Sequence, residues 1–336
     1  MRGSRTANQL NVGLMGCALL ALGSCGGQIE ATSNTSGDPP VDQSSDGGTG
    51  FLQDSVEARW VTTFSGVRRV KLDYTQPGVE YRERVGADGQ GNFAIETIEV
   101  LTPHPDPDVF LAVQDLRQTL SYRYRDFAIK DWALFTQEYA VAIIDENRTI
   151  AGFPTVQVRI DRLTHARSYY EVDFDPITSL VLAYKEYDAD TGQTLADVAF
   201  ESLTYQPDLT GMSMVKYLYP TTTHSLSGGN LTSVFEFDPL VPSYIPPGYR
   251  LLDEIEKQDA PDGTRAKVYL SDGLDVIILA SQKPVLASGS PLPSRMWSTD
   301  LGSWTGMSGD VKGYPIMVAG KVDALQQSLM VQSAFE

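Results

Sequence analysis

Residues 153–205 read FPTVQVRIDRLTHARSYYEVDFDPITSLVLAYKEYDADTGQTLADVAFESLTY. Four stretches of this run alternate apolar and polar side chains, at 154–160, 169–174, 180–187 and 195–205. Alternation of this kind is typical of half-buried β-strands. Turn-forming residues such as Asp175-Pro176 and Gly192 separate the stretches. The run therefore predicts a meander of four consecutive antiparallel strands.

The same patterns extend to both sides of this run. Before it, alternation predicts strands at 67–74, 79–85, 93–101 and 139–145, an apolar stripe predicts a helix over 52–60, and Asp106-Pro107 is a helix start. After it, strands are predicted at 249–256, 266–271, 274–281 and 313–321, with a type I′ turn at Asp272-Gly273 and a last helix capped by Asp323. The predicted fold class is α+β, with an antiparallel sheet in each half.

The N-terminus has the layout of a secretory signal, with Arg2 and Arg5 before a short apolar stretch. Leu22-Gly23-Ser24-Cys25 resembles the bacterial lipobox, which implies cleavage before Cys25 and lipidation of its thiol. The alternatives are a second lipobox ending at Cys17 and a plain signal peptide. Gly26 rather than Asp follows Cys25, and by the same resemblance the anchor is expected in the outer membrane, on its periplasmic face.

The domain organisation follows from composition and periodicity. Residues 1–24 are predicted as a lipoprotein signal peptide and 25–50, rich in Gly, Ser, Asp and Pro, as a flexible tether. Residues 51–206 and 231–336 are predicted as two folded domains. Between them, at 207–230, the periodicity fades, which indicates a linker.

Charge and motifs exclude several kinds of function. A net charge of −17 excludes a non-specific nucleic-acid binder, because phosphate binding needs a surplus of basic residues. The histidines His104, His165 and His224 lack the spacing of a metal site, and no nucleophile motif is present, so no metal, cofactor or catalytic residue is predicted. The acidic pairs Asp173/Asp175 and Asp188/Asp190 are interpreted as turn caps. A hydrolase that uses such carboxylates is kept as a further hypothesis about function.

The apolar face of the meander is the candidate binding surface. Such a face either packs into a closed core or leaves a hydrophobic cavity that holds an acyl chain. The candidate cavity wall consists of the inward residues of three strands: Val156, Val158, Ile160, Tyr170, Val172, Phe174, Leu180, Leu182 and Tyr184.

Two sets of motifs resemble a known family. The Ala-Gly-x-Pro entry at 151–154 and the strands to Tyr205 resemble the second half of the LolA-type lipoprotein-carrier fold. The motifs at 245–249 (IPPGY), 270–274 (LSDGL) and 318–321 (VAGK) resemble the C-terminal domain of the RseB/MucB regulators of the sigma-E envelope-stress response. The resemblance implies a half-barrel N-terminal domain with covering helices that binds lipid, and a smaller C-terminal domain that binds a protein.

Together these observations predict a non-enzymatic, membrane-anchored lipoprotein of the RseB/MucB type. Its expected partners are a lipid or acyl chain and an anti-sigma factor or another envelope protein. The alternative is a lipoprotein carrier or insertion factor at the outer membrane.

Overall fold

The computed structural model describes residues 50–73, 78–107, 126–164, 167–214, 221–260, 263–284, 295–301 and 304–336. The predicted signal peptide, Cys25, most of the tether and the predicted helix after Pro107 lie outside these residues. The described part of the chain is mostly antiparallel sheet with few helices. The predicted α+β class is confirmed.

The first sheet contains eight strands within the described residues. Helix α1 (Gly50–Val61) precedes it, and helix α2 (Trp132–Glu138) lies directly before the fourth strand. The strands are β1 (Thr63–Leu72), β2 (Val79–Asp88), β3 (Phe93–Thr102), β4 (Tyr139–Ile150), β5 (Phe153–Arg162), β6 (Ser168–Phe174), β7 (Val181–Asp188) and β8 (Thr194–Tyr205). Their order is β3-β2-β1-β8-β7-β6-β5-β4, so β5 to β8 form the predicted meander.

A row of apolar side chains crosses six neighbouring strands of this sheet. Registered pairs join one residue of each strand to the next, and all six residues are at most 5% exposed. Directly opposed side chains on one face pack together, which stabilises the sheet and holds its register. The row consists of Val158, Val172, Tyr184, Val198, Val70 and Tyr81.

The second sheet contains seven strands within the described residues. These are β9 (Thr221–Ser225), β10 (Arg250–Ala260), β11 (Gly263–Ser271), β12 (Val276–Gln282), β13 (Arg295–Leu301), β14 (Trp304–Val311) and β15 (Tyr314–Gly320). Their order is β13-β14-β15-β12-β11-β10-β9, and β12 lies at the centre with almost every residue buried. Helix α3 (Leu231–Phe235) follows β9, and helix α4 (Ala324–Ser333) ends the chain.

Helix α4 begins where the sequence predicts. The Asp323 carboxylate accepts a hydrogen bond from the Gln326 backbone N–H at 2.7 Å, as an N-cap does. Met330 and Val331 pack against Ile277 and Val318 of the sheet. The helix therefore covers one face of the second sheet.

Several strands and helices of the described residues have no counterpart in the sequence prediction. Strands β13 and β14 are rich in Ser, Thr and Gly and lack clear alternation, and α2 and α3 are too short for a helical period. Strand β9 lies inside the predicted linker, where a run of β-branched threonines pairs with β10.

The predicted type I′ turn at Asp272-Gly273 is wrong. A type I′ turn needs positive φ at both central residues, but Gly273 has φ +98° and Asp272 is not among the described residues with positive φ. The connection between β11 and β12 is instead a four-residue loop. The Asp272 carboxylate accepts from the backbone N–H groups of Leu274 and Asp275. Positive φ at two successive residues occurs at Ala151-Gly152 and Lys312-Gly313, each pair joining two antiparallel strands.

Candidate functional site

The nine predicted cavity residues lie in two packed clusters of the first sheet. Val158, Ile160, Tyr170, Val172, Phe174 and Tyr184 belong to its main core, with Val156 packed against it. Leu180 and Leu182 belong to a second cluster with Phe64 and Phe200. The structure thus places all nine on buried or half-buried surfaces, and their role in holding a ligand stays a prediction.

A cavity of about 40 Å³ lies where α1, β1, β7 and β8 meet. Leu180, Leu182 and Tyr184 of the predicted set line it, beside Phe64, Phe200 and other residues. A volume of this order holds a few water molecules. A longer apolar ligand can enter only if part of the wall moves.

One end of the cavity is polar. Arg68 Nη2 lies 2.7 Å from Glu83 Oε1 and 3.0 Å from Asp126 Oδ2, and the Tyr184 hydroxyl donates to Asp126 Oδ1 at 3.1 Å. All three charged side chains are at most 8% exposed. Buried charges are tolerated when they are paired and hydrogen-bonded in this way. Arg59 also lines the cavity and adds a second guanidinium to it.

The strand pattern contains a signal for this cluster. Arg68 alternates with Val70 and Leu72 on the apolar face of β1, and Glu83 alternates with Tyr81 and Val85 on that of β2. A charged residue at an inward position of a strand indicates a buried partner. The alternation of β1 alone puts Arg68 on the apolar face, whereas its partner Asp126 lies outside the strands and has no such signal.

The loop between β11 and β12 joins the two sheets. We call residues 271–275 the interdomain turn, and residues 126–131, before α2, the linking segment. The backbone N–H groups of Lys130 and Asp131 donate to the Gly273 carbonyl at 2.8 and 3.1 Å. The Lys130 ammonium donates to the Leu274 carbonyl at 2.5 Å, and Leu274 is part of the first sheet's core.

Charged side chains surround the interdomain turn. Arg162 Nη2 of β5 lies 3.1 Å from Asp272 Oδ2, which also accepts from the Tyr139 hydroxyl at 2.9 Å. Lys321, next to β15, lies 3.0 Å from Asp275 and 3.2 Å from Glu186 of β7. Each of these ion pairs has side chains that are at most 11% exposed. The junction between the sheets is therefore held by buried ion pairs.

Burial shifts the titration of two groups in this junction. Burial and the nearby Asp272 carboxylate raise the pKa of Asp275 well above its ordinary value. Burial lowers the pKa of Lys130 to about 8, against the raising effect of Asp275. Both shifts have the sign expected when the charged form of a group loses its water.

The basic stretch between Arg59 and Arg84 does not form a continuous positive surface. Arg69 pairs with Glu80, Arg82 with Glu99 and Glu201, and Arg84 with Glu96, while Arg68 is buried. Exposed pairs of this kind contribute little to stability but cancel local charge. The exposed arginines of this stretch are thus paired with carboxylates of the same sheet.

One member of each acidic pair caps a turn, whereas Asp173 is buried in β6, where it lies 3.0 Å from the Arg148 guanidinium and accepts from the Thr155 hydroxyl. Asp175 accepts from the Ile177 and Thr178 backbone, and Asp188 from Asp190 and Thr191. Among the described residues, no group of three or more His, Cys, Asp or Glu side chains could hold a metal ion. No helix in the described ranges has the length and apolar character needed to cross a membrane.

No family model matches the sequence, and no curated protein matches it. Among solved structures, MucB in complex with MucA(peri) is similar at 16% identity, covering 84% of this chain and 95% of that chain with a TM-score of 0.45. The Pseudomonas aeruginosa MucA/MucB complex and MucB alone have the same identity and coverage, with TM-scores of 0.44 and 0.43.

Proposed function

We propose that this chain is a non-enzymatic lipoprotein of the RseB/MucB type that binds an acyl chain of a lipid or lipoprotein in its first sheet. The observation that carries the proposal is the small cavity beside the continuous apolar row of the first sheet. Most of its lining residues are apolar, and the polar ones include Arg59, Arg68 and Asp126. A pocket with apolar walls and few polar groups suits an amphipathic molecule.

The proposal extends to a protein partner and a place in the cell. The motif resemblance supports an anti-sigma factor as the partner, bound through the C-terminal sheet, with the outcome of negative regulation of a sigma factor. The lipobox at Cys25 supports anchoring at the outer membrane, on the periplasmic side. In this role the chain would report envelope stress from a fixed position.

Lipid extraction tests the binding role. The purified full-length protein is extracted with organic solvent, and the extract is analysed by mass spectrometry for non-covalently bound fatty acids and lipids. Leu182→Asp places a carboxylate in the cavity wall and should remove the bound lipid. Val61→Asp changes an exposed apolar residue and should leave it in place. A folded wild-type protein that yields no lipid and does not take up myristate would contradict the binding role.

Depletion experiments separate the regulator from the carrier. Loss of a regulator should raise the activity of a sigma-factor reporter while other lipoproteins keep their location. Loss of a carrier or insertion factor should instead leave other lipoproteins mislocalised.

The variant Cys25→Ser tests the anchor, because it should shift the protein from the membrane fraction to the soluble periplasm.

A further inference from the structure

The linking segment lines the cavity with its first residues. Asp126, Phe127 and Ala128 are part of the cavity wall, and the Asp126 carboxylate is held by Arg68 and Tyr184. The Phe127 ring lies 5.2 Å from the Tyr170 ring and 6.0 Å from the Phe174 ring, measured between centroids. This end of the segment is therefore packed into the first sheet's core.

The same segment binds the second sheet with its last residues. Lys130 and Asp131 donate their backbone N–H groups to Gly273, and Asp131 also caps α2. The fit around Gly273 is close, because a Cβ atom there would lie 2.2 Å from the Phe135 nitrogen and 2.8 Å from the Asp131 carbonyl oxygen. Small displacements of the segment would thus change the contact with the interdomain turn.

The two ends are connected by a chain that cannot stretch. Only Ile129 and Lys130 separate Ala128 from Asp131, and Ile129 is itself buried in the core. A trans peptide unit keeps consecutive Cα atoms at a fixed spacing, so a shift at Ala128 is passed on to its neighbours. The strands in the cavity wall are held by sheet hydrogen bonds, whereas the linking segment lies outside both sheets.

We propose that the linking segment couples the occupancy of the cavity to the docking of the second sheet. An occupant larger than the cavity displaces Phe127 and Ala128, and the hydrogen bonds from Lys130 and Asp131 to Gly273 weaken. The inference rests on the proposed ligand cavity but not on the identity of the ligand. It gives the first sheet a physical route by which binding changes the orientation or exposure of the second sheet.

Hydrogen exchange measured by NMR on the full chain tests this coupling. Ser55→Leu fills the cavity from α1, on a wall that the linking segment does not form. The protection of the Lys130 and Asp131 amides should fall about tenfold, within the usual range of allosteric coupling. The Gln327 amide, bonded to Asp323 in α4, should keep its protection and serves as the internal reference.

Ala87→Leu is the matched control. It adds the same side chain to a buried alanine of β2 that does not line the cavity. It should leave the protection of Lys130 and Asp131 relative to Gln327 unchanged. If both variants lower the protection of all three amides equally, or if folded Ser55→Leu lowers none, the coupling does not exist.

Titration with myristate distinguishes the coupling from the proposed function. Myristate that binds and lowers the protection of Lys130 and Asp131 supports both. If myristate does not bind while Ser55→Leu still lowers the protection, the coupling holds and acyl binding fails. If myristate binds without changing these amides and Ser55→Leu also leaves them unchanged, acyl binding holds and the coupling is overturned.

Discussion

At the scale of single residues, Gly273 makes a close backbone contact with Asp131 and Phe135, which precede β4 of the first sheet. It combines a positive φ with a backbone approach that leaves no room for a side chain. Gly192 also has a positive φ, but a Cβ atom there meets nothing within 4 Å. Alanine substitutions at the two glycines therefore measure the destabilisation by backbone strain separately from the destabilisation by loss of the close contact.

Gly273→Ala should lower the free energy of unfolding by about 2 kcal/mol more than Gly192→Ala. Both variants place an alanine at a strained positive φ. Only in Gly273→Ala does the new methyl group also push against Phe135 and Asp131. Urea unfolding monitored by tryptophan fluorescence measures the difference. Equal losses in the two variants would mean that the contact at Gly273 is not tight.

Lys130 makes stability depend on pH. Its folded pKa of about 8 lies below the ordinary value of 10.5, so the unfolded chain binds more protons at Lys130 between these values. The free energy of unfolding therefore contains a component that rises with pH in this window. Below about pH 8 the lysine is protonated in both states and this component is constant.

Lys130→Met should remove that component. Between about pH 7.5 and pH 9.5, the wild-type protein should gain about 1–2 kcal/mol of unfolding free energy relative to the variant. The exposed Lys185→Met should follow the wild-type profile. Urea unfolding at the two pH values measures the gain, and parallel profiles for all three proteins would contradict the shift.

At the scale of secondary-structure elements, local signals were sufficient for the long strands and for α4. The meander follows from alternation and turn residues, and α4 follows from an apolar stripe with a capping aspartate. Strands β13 and β14 could not be predicted in this way, because their pairing partners supply the order that their Ser, Thr and Gly residues lack.

The interdomain turn shows a different limit of sequence reasoning. Asp-Gly between two apolar runs is the usual signature of an exposed hairpin turn. Here the same residues are buried, because Phe135, Lys130 and Asp131 of a distant segment close over them. The contact joins residues about 140 positions apart. The residues next to the turn in the sequence therefore cannot predict it. The same holds for the pairing of Arg68 with Asp126.

The cap of α4 offers a test at this scale. Asp323→Ala removes the acceptor of the Gln326 N–H group and should lower the free energy of unfolding by about 1 kcal/mol. Leu325→Ala, at an exposed position of the same helix, should change it by less than about 0.5 kcal/mol. Thermal unfolding of the two variants checks the contrast, and an undestabilised Asp323→Ala would exclude the capping role.

At the scale of the whole molecule, Lys321 joins the two sheets by charge. It lies between Asp275 of the interdomain turn and Glu186 of the first sheet, with all three side chains almost fully buried. Without the Lys321 ammonium, the buried carboxylates of Asp275 and Glu186 lose the positive charge that they share. Breaking a buried ion pair on one side is far more costly than breaking an exposed one.

Lys321→Met should therefore lower the free energy of unfolding by about 3–5 kcal/mol. Lys185→Met removes the exposed pair with Asp197 and should cost at most about 1 kcal/mol. We also expect calorimetry of Lys321→Met to show a lower transition temperature than that of the wild-type protein. A single transition at the wild-type temperature would contradict this role.

The position of Leu274 has a consequence for the order of folding during synthesis. This side chain belongs to the core of the first sheet, although it follows the last strand of that sheet by almost 70 residues. Domains usually fold one after another as the chain emerges. In this chain the earlier half keeps an unfilled site in its core until the loop between β11 and β12 has been made. Completion of the first half is thereby delayed until the first three strands of the second sheet have been made.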